Sequence, residues 1–228
     1  MAIDLRTIPK EKQTYEICLD SIRVSWRQLQ YVVTDLQTEE LCLEAVKQDS
    51  YALKYAKNQT PKICLTAVRQ TGLALMYVHD QTPEICLAAV EQDGMALYYV
   101  KEQTLEICLA AVKQNDWTLE YVKDQTPEIC LAAVTQDPWT LKCVKNQTPE
   151  ICLAAVSAVG TILENVIDQT PEICLEAVKQ CGNALKYVHD QTPEICLEAI
   201  KQNEYALEYV RNQTLELCLE AEDGRAHV

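Results

Sequence analysis

The chain has 228 residues, of which 34 are acidic and 20 basic, so its net charge is −14. Its 48% apolar and 24% charged residues are typical of a globular protein and exclude an extensively disordered one. The acidity argues against broad binding to nucleic acid or to anionic membranes. No apolar run reaches the ~18 residues of a membrane helix, and residues 1–12 contain no signal-peptide core, so we expect a cytoplasmic protein, of the source cell or of a host cell.

In chain order, a lead segment of residues 1–12 precedes an array of repeats. The dipeptide Gln-Thr recurs every 22 residues, except that the first interval is 24. Repeats 1 to 10 therefore start at residues 13, 37, 59, 81, 103, 125, 147, 169, 191 and 213. The two extra residues of repeat 1 fall near Asp35 and Leu36. The array is predicted to span 13–221, with a tail at 222–228, and to form an all-α, right-handed α-solenoid of about ten helix-turn-helix repeats.

Each repeat, with positions numbered 1 to 22 from its glutamine, predicts two short helices. In repeat 4, Thr82 suits the N-cap and Pro83 the first turn of a helix that runs to about Gln92. Gly94 is predicted to end that helix in a left-handed conformation, and a second helix of about seven residues follows. At 100° per residue, positions 5, 6, 9 and 10 of the first helix and 16, 17 and 20 of the second face inward. Positions 15, 18 and 19 face outward.

Ten of the twelve cysteines occupy position 6, and the other two are Cys143 and Cys181. Packed helices lie about 8–10 Å apart, farther than the ~7 Å Cα separation of a disulfide, so we expect small buried thiols and not a disulfide framework. The spacings of zinc and haem sites are absent, so we predict neither a metal nor a cofactor. Glutamine at position 1 recurs in all ten repeats and is predicted to be structural, either as an amide ladder or as a cap for the preceding helix.

Function is expected at positions that vary while the scaffold repeats, which are positions 13, 14, 15 and 18. Positions 15 and 18 lie one turn apart and carry large apolar side chains between repeats 2 and 6, a pattern that favours a partner-binding surface. The alternative for position 15 is packing against the next repeat. The predicted partner-binding residues are Tyr51, Leu73, Met76, Met95, Tyr98, Trp117, Trp139, Val159, Ile162 and Tyr205.

Two further positions recur in seven of the first nine repeats. Position 19 is tyrosine, which indicates either packing or a solvent-exposed tyrosine ladder, and position 21 is basic, which suits a helix end. Repeat 7 departs most from the pattern: Ala158 replaces the usual glutamine. In the same repeat, Val159 and Ile167 are predicted to form either a local contact surface or a hinge.

The segment ICLAAVKQN, followed by a short helix of pattern AL-x-YV, resembles the tandem helix-pair repeats of a family of unknown function. Such repeats occur in bacterial, phage-associated and giant-virus proteins. The resemblance extends from Gln13 to about Ala221. It implies an interaction scaffold rather than an enzyme, and it brings no catalytic residues.

The leading functional hypothesis is a non-enzymatic protein-binding scaffold, with inhibition by occupying a partner surface as one mode of action. The first alternative is an acidic nucleic-acid mimic that blocks a nucleic-acid-binding enzyme. The second is a single-strand binder that uses tyrosine stacking. The sequence contains no Gly-rich phosphate loop, HExxH or G-x-S-x-G motif, so no catalytic residue is predicted. Glu222 and Asp223 are predicted to form a polar end cap, which favours a monomer.

Overall fold

A computed structural model describes residues 4–215 and 217–219, and the regular elements in this part of the chain are helices. It contains nine ten-residue α-helices: α1 (Tyr15–Val24), α2 (Glu39–Gln48), α3 (Pro61–Gln70), α4 (Pro83–Gln92), α5 (Leu105–Gln114), α6 (Pro127–Gln136), α7 (Pro149–Ala158), α8 (Pro171–Gln180) and α9 (Pro193–Gln202). Residues 215 and 217–219 are helical as well. The predicted all-α solenoid of helix-turn-helix repeats is confirmed, whereas its right hand stays a prediction.

Short 3-10 helices alternate with the α-helices. The lead segment contains two of three residues each, Leu5–Thr7 and Lys10–Lys12. Repeats 1 to 5 contain Trp26–Tyr31, Thr34–Leu36, Ser50–Tyr55, Gly72–Tyr77, Gly94–Tyr99 and Asp116–Tyr121, and the series of later repeats begins with Pro138–Cys143. That series continues with Gly160–Asn165, Gly182–Tyr187 and Glu204–Tyr209. The second helix of each repeat is predicted to have about seven residues, and in repeats 1 to 9 it is instead a six-residue 3-10 helix.

Each α-helix begins at the threonine of position 2. The Oγ1 atom of Thr82 accepts a hydrogen bond from the backbone N–H of Ile85 at 3.3 Å, and the corresponding threonine caps each of the other eight α-helices. Proline follows this cap in most repeats, where its missing N–H costs nothing. The predicted start of the first helix is therefore confirmed.

The helix ends where the sequence predicts, but the predicted left-handed glycine does not end it. Asp93 ends α4 in an extended conformation, with φ −150° and ψ 110°, and no described glycine has a positive φ. Gly94 is required by close approach instead, because a Cβ atom there would lie 2.7 Å from the carbonyl oxygen of Ala111 in the next repeat. The Asp93 carboxylate accepts the N–H of Met95 at 3.0 Å and so begins the 3-10 helix.

The core lies between a layer of α-helices and a layer of 3-10 helices. Within repeats 1 to 5, and likewise within repeats 6 to 9, each layer is built by contacts between successive repeats. The predicted inward positions are buried throughout repeat 4: Ile85, Cys86, Ala89, Val90, Ala96, Leu97 and Val100. Neither helix would be stable alone in water at this length, so burial against neighbouring repeats stabilises both.

The chain divides into two compact units, one up to Val122 and one from Lys123 onward. The N-terminal unit contains α1 to α5, and the C-terminal unit contains α6 to α9. The two extra residues of repeat 1 lie at the predicted place, in the additional 3-10 turn Thr34–Leu36. That residues 13–221 form one array stays a prediction, and the tail at 222–228, with the cap at Glu222 and Asp223, lies outside the described residues.

None of the helices in residues 4–215 and 217–219 has the length and apolar character that a membrane crossing requires.

Candidate functional site

The glutamine at position 1 caps the ends of two 3-10 helices. The Nε2 atom of Gln169 donates to the carbonyl oxygens of Leu163 in the preceding repeat, at 3.2 Å, and of Tyr187 in its own repeat, at 3.0 Å. Its Oε1 atom accepts the backbone N–H of His189 at 2.9 Å. The Sγ atom of Cys174 lies 3.6 Å from the same oxygen. The expected structural role of this glutamine is confirmed, and it is that of a cap.

The cysteines of position 6 are free thiols. Those of repeats 1 to 9 are buried in the core, as predicted. Burial raises the pKa of Cys42 and of Cys64 to about 11. A thiol must lose its proton to act as a nucleophile, so these two side chains are poorly suited to covalent catalysis at neutral pH. Within residues 4–215 and 217–219, no group of three or more His, Cys, Asp or Glu side chains is placed to hold a metal ion.

A second glutamine, at position 12, links adjacent repeats and was missed by the sequence analysis. The Oε1 atom of Gln114 accepts the N–H of Gly94 at 2.7 Å, and that of Gln180 accepts the N–H of Gly160 at 2.6 Å. Repeat 7 has Ala158 at this position, and the residue it would face in repeat 6 is Pro138, which has no N–H. The joint occurrence of these two exceptions is the sequence signal that reveals the pairing.

Two of the basic side chains of position 21, those of Lys101 and Arg211, bind the preceding repeat. The Nζ atom of Lys101 donates to the carbonyl oxygen of His79 at 2.8 Å. Arg211 donates to the carbonyl oxygens of His189 at 2.6 Å and of Val188 at 2.9 Å. The helix end that these cations complement is therefore that of the preceding repeat, whereas the sequence pointed to the helix of the same repeat.

The structure exposes most of the predicted partner-binding residues. Those that are exposed are Tyr51, Met76, Tyr98, Trp117, Trp139 and Tyr205, and those that are half-buried are Leu73, Met95 and Val159. Ile162 is 0% exposed, so its place on a binding surface is corrected. It occupies position 16, which is buried in each of repeats 2 to 9.

Three of the predicted residues meet in one open groove of about 370 Å³ in the N-terminal unit. This aromatic groove is lined by Leu73, Asp93, Met95, Tyr98, Tyr99 and Tyr121. Sequence analysis identified Leu73, Met95 and Tyr98 as binding residues. It treated position 13, where Asp93 lies, only as variable, and position 19, where the other two tyrosines lie, as packing or as a ladder.

Three tyrosine rings stand edge to face in the aromatic groove. The ring centroid of Tyr98 lies 5.1 Å from that of Tyr99 with the planes at 90°, and 5.5 Å from that of Tyr121 at 84°. Such edge-to-face pairs contribute about 0.5–1.5 kcal/mol beyond their buried area. The position-18 side chain of repeat 4 is thereby held between the position-19 tyrosines of repeats 4 and 5, and the three rings form a fixed surface.

The other predicted residues do not line this groove. Tyr51 packs edge to face on Tyr77 of the next repeat, with centroids 5.8 Å apart. Trp139, Val159 and Tyr205 belong to the C-terminal unit. The tyrosines of position 19 are half-buried, so the packing and ladder interpretations each describe part of their environment.

The same tyrosines accept cations elsewhere in the chain. The Nζ atom of Lys54, at position 18, lies 5.8 Å from the ring centroid of Tyr55 and 5.9 Å from that of Tyr77. Lys186 lies 5.5 Å from the ring of Tyr187. These distances are within the ~6 Å range of a cation–π interaction.

The repeat type is identified by comparison with protein-family models. The model of a domain of unknown function (DUF4116) matches residues 38–82, 60–104, 82–126 and 170–214. Each match starts at the helix-capping threonine of one repeat and spans two repeats. No curated protein matches the chain, and no solved structure matches it. Because the matches cover more than half of the 228 residues, the chain belongs to the DUF4116 family, which is described as a domain of unknown function.

Proposed function

We propose that this protein is a non-enzymatic scaffold that binds a protein partner through the aromatic groove. The observation that supports this proposal is the cluster of Tyr98, Tyr99 and Tyr121, held at fixed angles by stacked repeats at the surface. Tyrosine is among the residues that contribute most to protein–protein affinity. A rigid aromatic surface also loses little side-chain entropy when a partner binds.

The chemistry of the groove favours a partner segment that places a lysine or arginine beside an apolar side chain. The Asp93 carboxylate lines the groove together with the apolar side chains of Leu73 and Met95. Lys54 shows within the same chain that an ammonium group fits against the tyrosines of position 19. The net charge of −14 would also speed the encounter with a basic partner.

The proposal extends to the setting of this interaction. The protein would act in the cytoplasm of its source cell or of a host, as a monomer, and could inhibit its partner by occupying the surface that the partner needs. Acidic mimicry of nucleic acid and single-strand binding are the competing functions, and the experiment below separates them.

The test begins with random peptides displayed on phage and selected on the purified protein. Enriched peptides should carry Lys or Arg next to an aromatic or aliphatic residue. Each labelled peptide is then titrated against the wild type, Tyr98→Ala and Tyr205→Ala. Tyr205 is the matched control, because both tyrosines are 66% exposed and only Tyr98 lines the groove.

We expect Tyr98→Ala to weaken peptide binding at least tenfold and Tyr205→Ala less than twofold. Equal effects of the two substitutions would reject the groove as the binding site. A single-stranded oligonucleotide that competes with the peptide would favour the single-strand binder. Binding confined to uniformly basic peptides and lost at high salt would favour the nucleic-acid mimic, because exposed charge pairs are screened by salt.

A further inference from the structure

A second cavity lies between the lead segment and repeat 1, away from the aromatic groove. It is open to solvent, has a volume of about 700 Å³, and falls in the ~300–1,000 Å³ range of small-molecule sites. Its lining residues are Leu5, Arg6, Ile8, Pro9, Lys10, Gln13, Gln30, Tyr31, Val32, Val33, Thr34, Asp35 and Lys57. We call it the N-terminal cavity.

Both walls of the N-terminal cavity are fixed by hydrogen bonds. The side chain of Leu5 is 1% exposed, and its backbone N–H donates to Oε1 of Gln28 at 2.9 Å, which anchors the lead segment. On the opposite wall, the N–H of Val33 donates to Oε1 of Gln13 at 3.0 Å. The extra 3-10 turn Thr34–Leu36 follows directly, so this wall includes Asp35, one of the two residues that distinguish repeat 1 from the others.

The charge of the cavity is opposite to that of the protein. Three cationic side chains, Arg6, Lys10 and Lys57, line it together with a single carboxylate, that of Asp35. The nearby Asp4 carboxylate neutralises Arg6 through a 2.6 Å salt bridge, which leaves the two cations Lys10 and Lys57 against the carboxylate of Asp35. In a chain with a net charge of −14, a cavity with more cations than anions is a local exception that attracts negative charge.

The remaining lining is apolar and aromatic. Ile8, Pro9 and Val32 contribute aliphatic surface, and the guanidinium carbon of Arg6 lies 5.9 Å from the ring centroid of Tyr31. We propose that the N-terminal cavity binds a small organic anion with a flat apolar body, whose negative group lies near Lys10 and Lys57 and whose body lies against these apolar side chains.

The probe for this site is 8-anilino-1-naphthalenesulfonate, an aromatic anion whose fluorescence rises when it binds apolar surface. It is titrated against the wild type, Lys57→Glu and Lys101→Glu, with circular dichroism to verify folding. Lys57 and Lys101 both occupy position 21 and are both exposed, but only Lys57 lines the cavity, so the pair controls for the change in net charge. Tyr98→Ala controls for probe binding in the aromatic groove.

We expect Lys57→Glu to weaken binding of the anionic probe at least fivefold, and Lys101→Glu and Tyr98→Ala less than twofold. The neutral probe N-phenyl-1-naphthylamine should respond to none of the three substitutions by more than twofold. Equal weakening by Lys57→Glu and Lys101→Glu would overturn the proposal, and so would equal weakening of the neutral and anionic probes by Lys57→Glu. Lys10→Glu provides a second variant of the same cavity, for which we expect the same result.

Discussion

Replacing Gln169 with alanine tests the cap that joins successive repeats. The substitution removes three hydrogen bonds, two donated to the carbonyl oxygens of Leu163 and Tyr187 and one accepted from the N–H of His189. A neutral hydrogen bond contributes about 0.5–1.5 kcal/mol net, so the loss of three should lower the free energy of unfolding by about 2–4 kcal/mol. The half-buried position lets water reach part of the site, which favours the lower half of that range.

The assay is urea denaturation followed by circular dichroism, with hydrogen exchange of the His189 amide as the local measurement. Gln30→Ala is the control. This glutamine is exposed, and its Nε2 atom donates a hydrogen bond to the carbonyl oxygen of Arg27 in its own 3-10 helix. At neutral pH, Gln169→Glu should destabilise the protein at least as much as Gln169→Ala, because its second carboxylate oxygen would face the carbonyl oxygens of Leu163 and Tyr187 without a proton to donate. An effect of Gln169→Ala no larger than that of Gln30→Ala would refute the cap as a source of stability.

Two further predictions concern the scaffold. Ala158→Gln alone should not stabilise the protein, because Pro138 offers no N–H. Ala158→Gln combined with Pro138→Gly should show a favourable coupling of about 0.5–1.5 kcal/mol in a double-mutant cycle measured by urea denaturation. Zero coupling would contradict the pairing. Burial raises the pKa of Cys42 and Cys64 from 9.0 to about 11, so the folded state favours their protonated form. Their contribution to the free energy of unfolding is therefore fully present below pH 9 and is lost as the pH rises from 9 to 11. Thiolate absorbance at 240 nm, compared between the wild type and Cys64→Ser, should place the ionisation of Cys64 near pH 11, and a step at pH 9 in the folded protein would contradict its burial.

The parts of the fold that depend on nearby residues were predictable from sequence. The threonine cap, the proline after it and the inward face that holds Ile85 and Cys86 all arise within one turn or one helix. Their signals repeat at every 22-residue interval, so errors at single positions average out. This is why the repeat register and the composition of the core agree with the structure.

The parts that failed depend on the neighbouring repeat. Gly94 is set by the carbonyl oxygen of Ala111, and its N–H is bound by Gln114, so neither role is visible in the segment that contains the glycine. The 3-10 geometry of the second helix follows the same logic, because a six-residue element has too few internal bonds to choose its own pitch. Ile162 was wrongly assigned to the binding surface because repeat 7 has several apolar residues at usually polar positions. Its position, 16, belongs to the inward face.

Recognition at the aromatic groove depends on the order of the repeats as well as on single residues. The position-18 side chains of Lys54, Tyr98 and Lys186 reach the tyrosine of their own repeat, and those of Lys54 and Tyr98 also reach that of the next repeat. At Lys54 and Lys186 the chain supplies its own cation to those rings. In repeat 4 the same place holds Tyr98, which adds a third ring and no charge. Under the proposed function, a cation from a partner would bind beside Tyr98 and Asp93, and Tyr98→Lys should weaken binding of a basic peptide more than Tyr98→Leu does.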